Sequence, residues 1–267
     1  MLSSSAKIIF NNHYYNNNNN NKRNTAKNKM SKNDLNLAQF QPMQREPYEE
    51  VKLEEDGSLF VFGYGSIIWK FDIPSVTPVK TVRCKAFGYE RRFYQGSTDH
   101  RGTVGFPGRT VTLVKSDYDD DSSSSSSSSS KKNAESESSY VSGVAYLIQK
   151  EDVAVVLENL EFREKQYDLR VQLEIYSDED DYESRSNNNN LISTRAVCWI
   201  ATSNTKKNIN WIGEQTEDEI AKVIANAKGP SGPNYEYLFN LCEAMRKFNI
   251  EDAHLYELEK KVKAFLV

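Results

Sequence analysis

Three short stretches of the chain hold residue types and spacings that could do chemistry. The first is Val61-Phe62-Gly63-Tyr64-Gly65-Ser66, in which two glycines two apart end an apolar run. Glycine lets main-chain N–H groups turn toward a ligand with no Cβ in the way, and Ser66 adds a hydroxyl. Such a nest suits a carboxylate or a developing oxyanion. The same spacing serves an ordinary tight turn leaving a core strand. No third glycine follows, so it is not a dinucleotide fingerprint.

The second is Glu164. Val153, Val156, Leu157 and Leu160 recur at i, i+3, i+4 and i+7, one apolar stripe of a helix, and four residues further stands Glu164. A carboxyl that continues a buried stripe is costly to bury in charged form and is held in the range a general base or acid needs. The alternative is a helix-end glutamate paired in solvent with Arg163 or Lys165. The third stretch is Ser97-Thr98-Asp99-His100-Arg101-Gly102. It holds the types of a hydrolase triad, but in an extended segment Ser97 and Asp99 face one side and His100 the other. It reads instead as a polar loop whose Arg101 holds a carboxylate, from a substrate or from the protein. Tyr235 and Tyr237 follow the turn Gly229-Pro230-Ser231-Gly232-Pro233; both suit core packing, and a tyrosine hydroxyl there can also reach a pocket.

Other chemistries find no support. His13, His100 and His254 are scattered, no His/Cys/carboxylate cluster has metal-ligand spacing, and neither a P-loop nor a dinucleotide motif occurs; no cofactor is expected. Cys84, Cys198 and Cys242 are odd in number and form no CxxC pair, which suggests a reducing compartment, the cytoplasm by default.

Positioning these residues falls to a sheet and a set of helices. Leu59 to Tyr64 fits a buried strand, and Val79 to Gln95 reads as one or two strands broken near Gly88. Arg109 to Lys115 and Tyr140 to Ile148 read as a hairpin joined by the serine tract. Val171 to Tyr176 and Thr194 to Ala201 make a second pair around an asparagine run. Glu151 to about Glu161 is helical. Thr216 caps a further helix, with Glu219 placed for a capping box and Gly229 at its C-terminus. Tyr235 to Phe248 and Ala253 to Leu266 follow. The fold class is α+β: a largely antiparallel sheet, closed into a small barrel, with helices beside it.

Of 267 residues, three tracts contribute little to a core: an Asn/Lys-rich arm over 1–58, an Asp/Ser/Glu tract over 116–139 and an acidic, Asn-ending run over 177–190. The arm is expected to be disordered and the other two to be swollen surface loops, leaving one catalytic domain over 59–267. Lys7, Lys22, Arg23, Lys27, Lys29 and Lys32 precede any acidic residue, so with a net charge of −4 the other 234 residues sum to −10. An acidic folded part argues against a nucleic-acid partner. The arm's basic, acid-free character has a mitochondrial presequence as its other reading, against which stand its few arginines and its asparagine run. No window approaches the roughly 18 apolar residues of a membrane span.

In chain order, FVFGYGSIIWK, RRFYQGSTDHRGTVGFPGRTVTLV, SGVAYLI, LEFREK and GPSGPNYEYLFNL are similar to the motifs of the ChaC-type, glutathione-specific γ-glutamylcyclotransferases. The resemblance runs collinearly from about Leu59 to Leu266, broken only at the low-complexity tracts. It implies a γ-glutamylcyclotransferase-like fold, a small β-barrel with flanking helices, and cleavage of glutathione into 5-oxoproline and cysteinylglycine. Carried over residue by residue, it implies substrate binding by Val61, Phe62, Gly63, Tyr64, Gly65 and Ser66, a catalytic carboxyl at Glu164 in the F-R-E-K stretch, and a site tyrosine at Tyr237 in the N-x-E-Y stretch. The chain departs from the family at Ile67, where leucine is usual, and after the glutamate, where Gly-Gly-Tyr is shortened to Gln166-Tyr167. That shortening bears on the loop beside the base and so on substrate affinity. A cyclotransferase for other γ-glutamyl amino acids or amines would share the same base and nest, and a non-catalytic binding protein could share the scaffold.

Overall fold

A computed structural model of the chain describes residues 50–116, 139–178 and 190–267. Its centre is a closed barrel of five strands in the order β1-β5-β2-β6-β7: β1 (Leu59–Gly63), β2 (Lys80–Phe87), β5 (Tyr140–Ile148), β6 (Leu169–Ser177) and β7 (Leu191–Ile200). Neighbours are antiparallel except β1 and β7, which close the barrel in parallel through Val61 and Val197. Every residue of LFVFG is buried, as expected of a strand covered on both faces, and this is why it reads as an unbroken apolar run rather than an alternating one.

A separate hairpin of β3 (Tyr89–Ser97) and β4 (Gly108–Lys115) lies against the barrel. Here the expected pairing is corrected. β4 pairs with β3, whereas β5 lies in the barrel between β1 and β2, so the serine tract joins two different sheets. The chain switches sheets at Gly88, whose φ of 76° favours glycine. Gly88 also receives both ends of the tract: its carbonyl accepts from Ser116 N at 3.0 Å and its N–H donates to Ser139 O at 2.8 Å. The side-chain hydroxyl of Thr112 both donates to and accepts from the main chain of Ala201 at 3.0 and 2.8 Å, fastening the hairpin to the end of β7.

Among the described residues, four α-helices cover the barrel and hairpin: α1 (Val153–Arg163), α2 (Glu217–Asn226), α3 (Asn234–Lys247) and α4 (Ala253–Phe265). In α1 the predicted stripe of Val153, Val156, Leu157 and Leu160 is buried. Thr216 and Glu219 form the expected capping box of α2. Gly229 does not cap that helix, which closes at Ala227; it sits in a two-residue ladder, β8 (Lys228–Gly229) with β9 (Gly232–Pro233). Glycine is required there because a Cβ would stand 2.2 Å from the His100 carbonyl oxygen.

The expected tract boundaries shift inward. Residues 50–58 are not loose arm but lie along the barrel: the Gln172 side-chain amide pairs with both main-chain groups of Lys52 at 2.9 and 2.8 Å, and Arg195 donates to Leu53 O at 2.7 Å. Ser177 ends β6, and buried Asp178 pairs with Lys85 at 2.6 Å. A polar composition hid these residues because it is side-chain amides, hydroxyls and ion pairs that tie them down. Residues 1–49, the interior of the serine tract and most of the acidic run lie outside the described residues.

Candidate active site

Glu164 follows directly on α1 as its C-cap. Its N–H donates to Leu160 O at 2.8 Å, so the carboxyl does continue the buried stripe, and its side chain is only 12% exposed. Of the two cations flanking it in sequence, Lys165 pairs with Asp99 at 3.0 Å, whereas Arg163 donates to Lys70 O at 2.7 Å and also forms a long ion pair with the Glu164 carboxylate at 4.0 Å. Glu164 lines a narrow cleft of about 20 Å³ together with Phe62, Tyr64, Gly65, Ser66, Ile67, Tyr167 and Trp199.

Two elements meet in this cleft because each ends there. β1 stops at Gly63 and a single 3₁₀ turn over Ser66–Ile68 begins, closed by Ile68 N donating to Gly65 O at 3.0 Å. The N–H groups of Ser66 and Ile67 precede that bond and have no acceptor within the turn. Of the six residues in the glycine motif, Phe62, Tyr64, Gly65 and Ser66 reach the cleft wall. Val61 and Gly63 stand behind it, Val61 in the barrel ladder and Gly63 where a Cβ would come 2.9 Å from Ile67 Cγ2. At Gly65 a Cβ would meet Val111 Cγ2 at 2.9 Å and the Tyr237 hydroxyl at 3.2 Å. Tyr237 thus packs directly behind the nest, its ring edge-on to Trp69 and Phe93. Arg101 is not among the cleft-lining residues; its guanidinium donates to Pro233 O and to Glu236, both at 3.0 Å, so the carboxylate it holds belongs to the protein.

Sequence reasoning passed over the other half of the wall. Tyr167 sits one turn beyond Glu164, its N–H on Glu164 O at 2.9 Å and its hydroxyl on Val111 O at 2.8 Å. Trp199 lies near the end of β7, receives the Tyr64 hydroxyl on its carbonyl at 2.6 Å, and carries a buried indole N–H with no acceptor among the described residues. The one signal for Tyr167 was its place three residues after the glutamate; for Trp199, in a strand remote in sequence, there was none. The shortened loop is also tightly held. Gln95, fully buried with Asn208, donates to Gln166 O at 2.7 Å, and the Gln166 amide donates to Thr98 at 3.0 Å.

The electrostatics follow from burial. Desolvation pushes the phenols of Tyr64, Tyr167 and Tyr237 well above their ordinary value, and the negative field of Glu164 adds to each. The cleft therefore surrounds one carboxyl with neutral hydroxyls and main-chain amides. The thiols are no rivals as nucleophiles: all three cysteines are free and buried, and burial pushes Cys84 and Cys198 far up and Cys242 to about 12. Among the described residues no group of His, Cys, Asp or Glu is arranged to hold a metal ion, and no helix is long and apolar enough to cross a membrane. A larger groove of about 260 Å³ lies by Glu90, Arg92, Tyr140 and Glu251; both its arginines are held in ion pairs, Arg92 with Glu90 and Arg91 with Asp252.

Residues 59–265 match the family model described as ChaC-like protein. The chain is 39% identical over 210 residues to "Gamma-glutamylcyclotransferase 2-3" of Arabidopsis thaliana, an alignment covering 78% of this chain and 90% of the relative. It is 32% identical to "Glutathione-specific gamma-glutamylcyclotransferase" of Saccharomyces cerevisiae, covering 73% and 89%. Among solved structures, the crystal structure of a glutathione-specific γ-glutamyl cyclotransferase from yeast superimposes with a TM-score of 0.59 at 30% identity, covering 79% of this chain and all of that one.

Proposed function

The chain belongs to the ChaC-like family, and on that footing we propose that it cyclises the γ-glutamyl group of glutathione, releasing cysteinylglycine and 5-oxoproline. The observation that carries this reading is Glu164, a sheltered carboxyl facing the Tyr64-Gly65-Ser66 turn across a narrow cleft, in a chain whose curated relatives are named for this activity.

The reaction is an acyl transfer within one molecule. The α-amine of the glutamyl residue attacks its own side-chain amide carbonyl; a C–N bond forms to close the five-membered lactam and the C–N bond to cysteine breaks. Nucleophile and electrophile are already tethered, so correct folding of the glutamyl chain supplies much of the barrier reduction, up to roughly 7–11 kcal/mol in favourable cases. Proton bookkeeping remains. The α-ammonium must lose a proton before it attacks and the departing amine must gain one; Glu164 accepts the first as a carboxylate and returns it as an acid. Main-chain N–H groups of the Gly65–Ser66 turn hold the substrate carboxylate or the tetrahedral oxyanion, and Phe62, Tyr64, Tyr167 and Trp199 keep water away. Tyr237 supports the nest from behind rather than touching substrate, and Arg101 orders the neighbouring loop through Glu236.

The catalytic unit is taken to begin at about residue 50 rather than 59, a reading supported by the hydrogen bonds of Lys52 and Leu53 to the barrel. Three free buried thiols suit a reducing compartment such as the cytoplasm. The test is to incubate the purified chain with glutathione and assay cysteinylglycine and 5-oxoproline, with γ-glutamyl-alanine as a parallel substrate. Release of both products from glutathione, and little turnover of γ-glutamyl-alanine, is the expected result. Preference for γ-glutamyl-alanine would move the assignment to other γ-glutamyl compounds, and binding of glutathione without turnover would make the chain a binding protein.

A further inference from the structure

Arg91 of β3 is 3% exposed and sends its donors to three different elements. Nε donates to Tyr64 O at 2.8 Å, Nη2 donates to Ser142 O at 2.5 Å, and Nη1 forms an ion pair with Asp252. Asp252 is itself fixed, since its other oxygen accepts from Leu255 N at 2.9 Å and caps α4. Three acceptors in divergent directions suit the fork of a guanidinium, which a lysine ammonium does not reproduce.

The acceptor on Tyr64 matters most. Tyr64 is the first residue past the end of β1, where the sheet ladder no longer holds the main chain, and the peptide that begins at its carbonyl ends at the N–H of Gly65 in the cleft wall. A cation bonded to the oxygen of a peptide fixes its plane and polarises it, making the N–H at the other end a stronger donor. Arg91 itself is not among the cleft-lining residues, so any effect on the reaction passes through that peptide.

We propose that Arg91 is a positioning residue for the cyclisation: it orients and polarises the Tyr64–Gly65 peptide toward the anionic oxygen of the bound substrate, and Asp252, at the start of the last helix, holds Arg91 in place. This rests on the glutathione reading above. It goes beyond that reading by tying the nest to a helix cap on a different element.

The experiment uses Arg91→Lys and Asp252→Asn in the full chain. Asparagine keeps an oxygen for the Leu255 N–H and so preserves the cap, but removes the charge that Arg91 faces. Turnover of glutathione is measured per folded molecule, well below the melting temperature of each variant, alongside the ¹⁵N shift of the Gly65 amide. Arg91→Lys should lower kcat/KM about tenfold or more, Asp252→Asn about threefold, and both should move the Gly65 resonance upfield. A residue that serves only the fold would lower the melting temperature and leave kcat/KM of the folded fraction unchanged; a value for Arg91→Lys within about twofold of the parent, or an unmoved Gly65 resonance, overturns the proposal. If Arg91→Lys does not fold, Asp252→Asn decides on the same two readouts. If the parent chain leaves glutathione intact, the reaction assignment falls, and the Gly65 resonance alone decides whether Arg91 governs the peptide.

Discussion

A carboxyl earns a role in proton transfer from its surroundings, and those of Glu164 are unusual for a glutamate at a helix end: three phenols that burial keeps protonated and a 3₁₀ turn with amides left over. Glu164→Gln keeps the shape and removes the base, so 5-oxoproline release should fall by at least about a hundredfold with the circular dichroism spectrum and melting temperature retained. Appreciable lactam formation by that variant would remove Glu164 from the mechanism. Gly65→Val acts differently, because its Cβ enters space held by Val111 and Tyr237. Expected are a rise in KM for glutathione of about tenfold or more and a stability loss of about 1–3 kcal/mol from overpacking, read by initial rates and by urea melts; an unchanged KM would count against the nest. Both residues stood out in the sequence, one in an apolar period and one in a glycine spacing, but each pattern also suited an ordinary structural role. It is the resemblance to the γ-glutamylcyclotransferases that gives them their proposed roles. Trp199 was not legible, since it joins the cleft only after distant strands close; Tyr167 offered only its place after the glutamate, and Arg91 lies behind the cleft on the Tyr64 carbonyl, a contact between distant segments.

At the scale of elements, the helices were easier to read than the sheets. The stripe of α1 and the Thr216–Glu219 box of α2 are local patterns, and local patterns survive folding. The capping box also gives a control remote from the chemistry: Thr216→Ala should cost about 1 kcal/mol of stability, measured by thermal melts, with kcat/KM for glutathione unchanged. Strand pairing was harder. β4 and β5 are sequential and both apolar, yet β4 turns back on β3 because Gly88 lets β2 end and β3 begin in another sheet. The turn after Glu164 shows the same limit. Shortening it to Gln166-Tyr167 pointed to an altered loop, but not to what holds it: Gln95 and Asn208, buried and far away in sequence, tie it down.

For the molecule as a whole, the buried phenols set the response to alkali. Their proton affinity is raised in the folded chain, so their contribution is fully present below the unfolded value near 10 and is lost as pH climbs from there toward the folded values. Tyr64, Tyr167 and Tyr237 each take about 1.4 kcal/mol per pH unit over that window, with Tyr146, raised to about 12, adding to it. Stability should therefore fall steeply above pH 10, and these tyrosines should ionise only on unfolding; a stopped-flow rise in tyrosinate absorbance belonging to them before loss of the circular dichroism signal would contradict their burial. Enlarged surface loops are tolerated for a different reason. Excising Ser122–Ser130 shortens the 22 residues between Ser116 and Ser139 to 13, a change in closure entropy of about 0.5 kcal/mol, and should leave melting temperature and turnover nearly untouched. Because Ser116 and Ser139, where the main chain departs and returns, are hydrogen-bonded to the carbonyl and the N–H of one glycine, Gly88, that junction works like a socket. A reporter domain or affinity peptide spliced between the two serines would be carried on the hairpin's outer end, and the enzyme could be labelled or tethered there while both of its termini stay native.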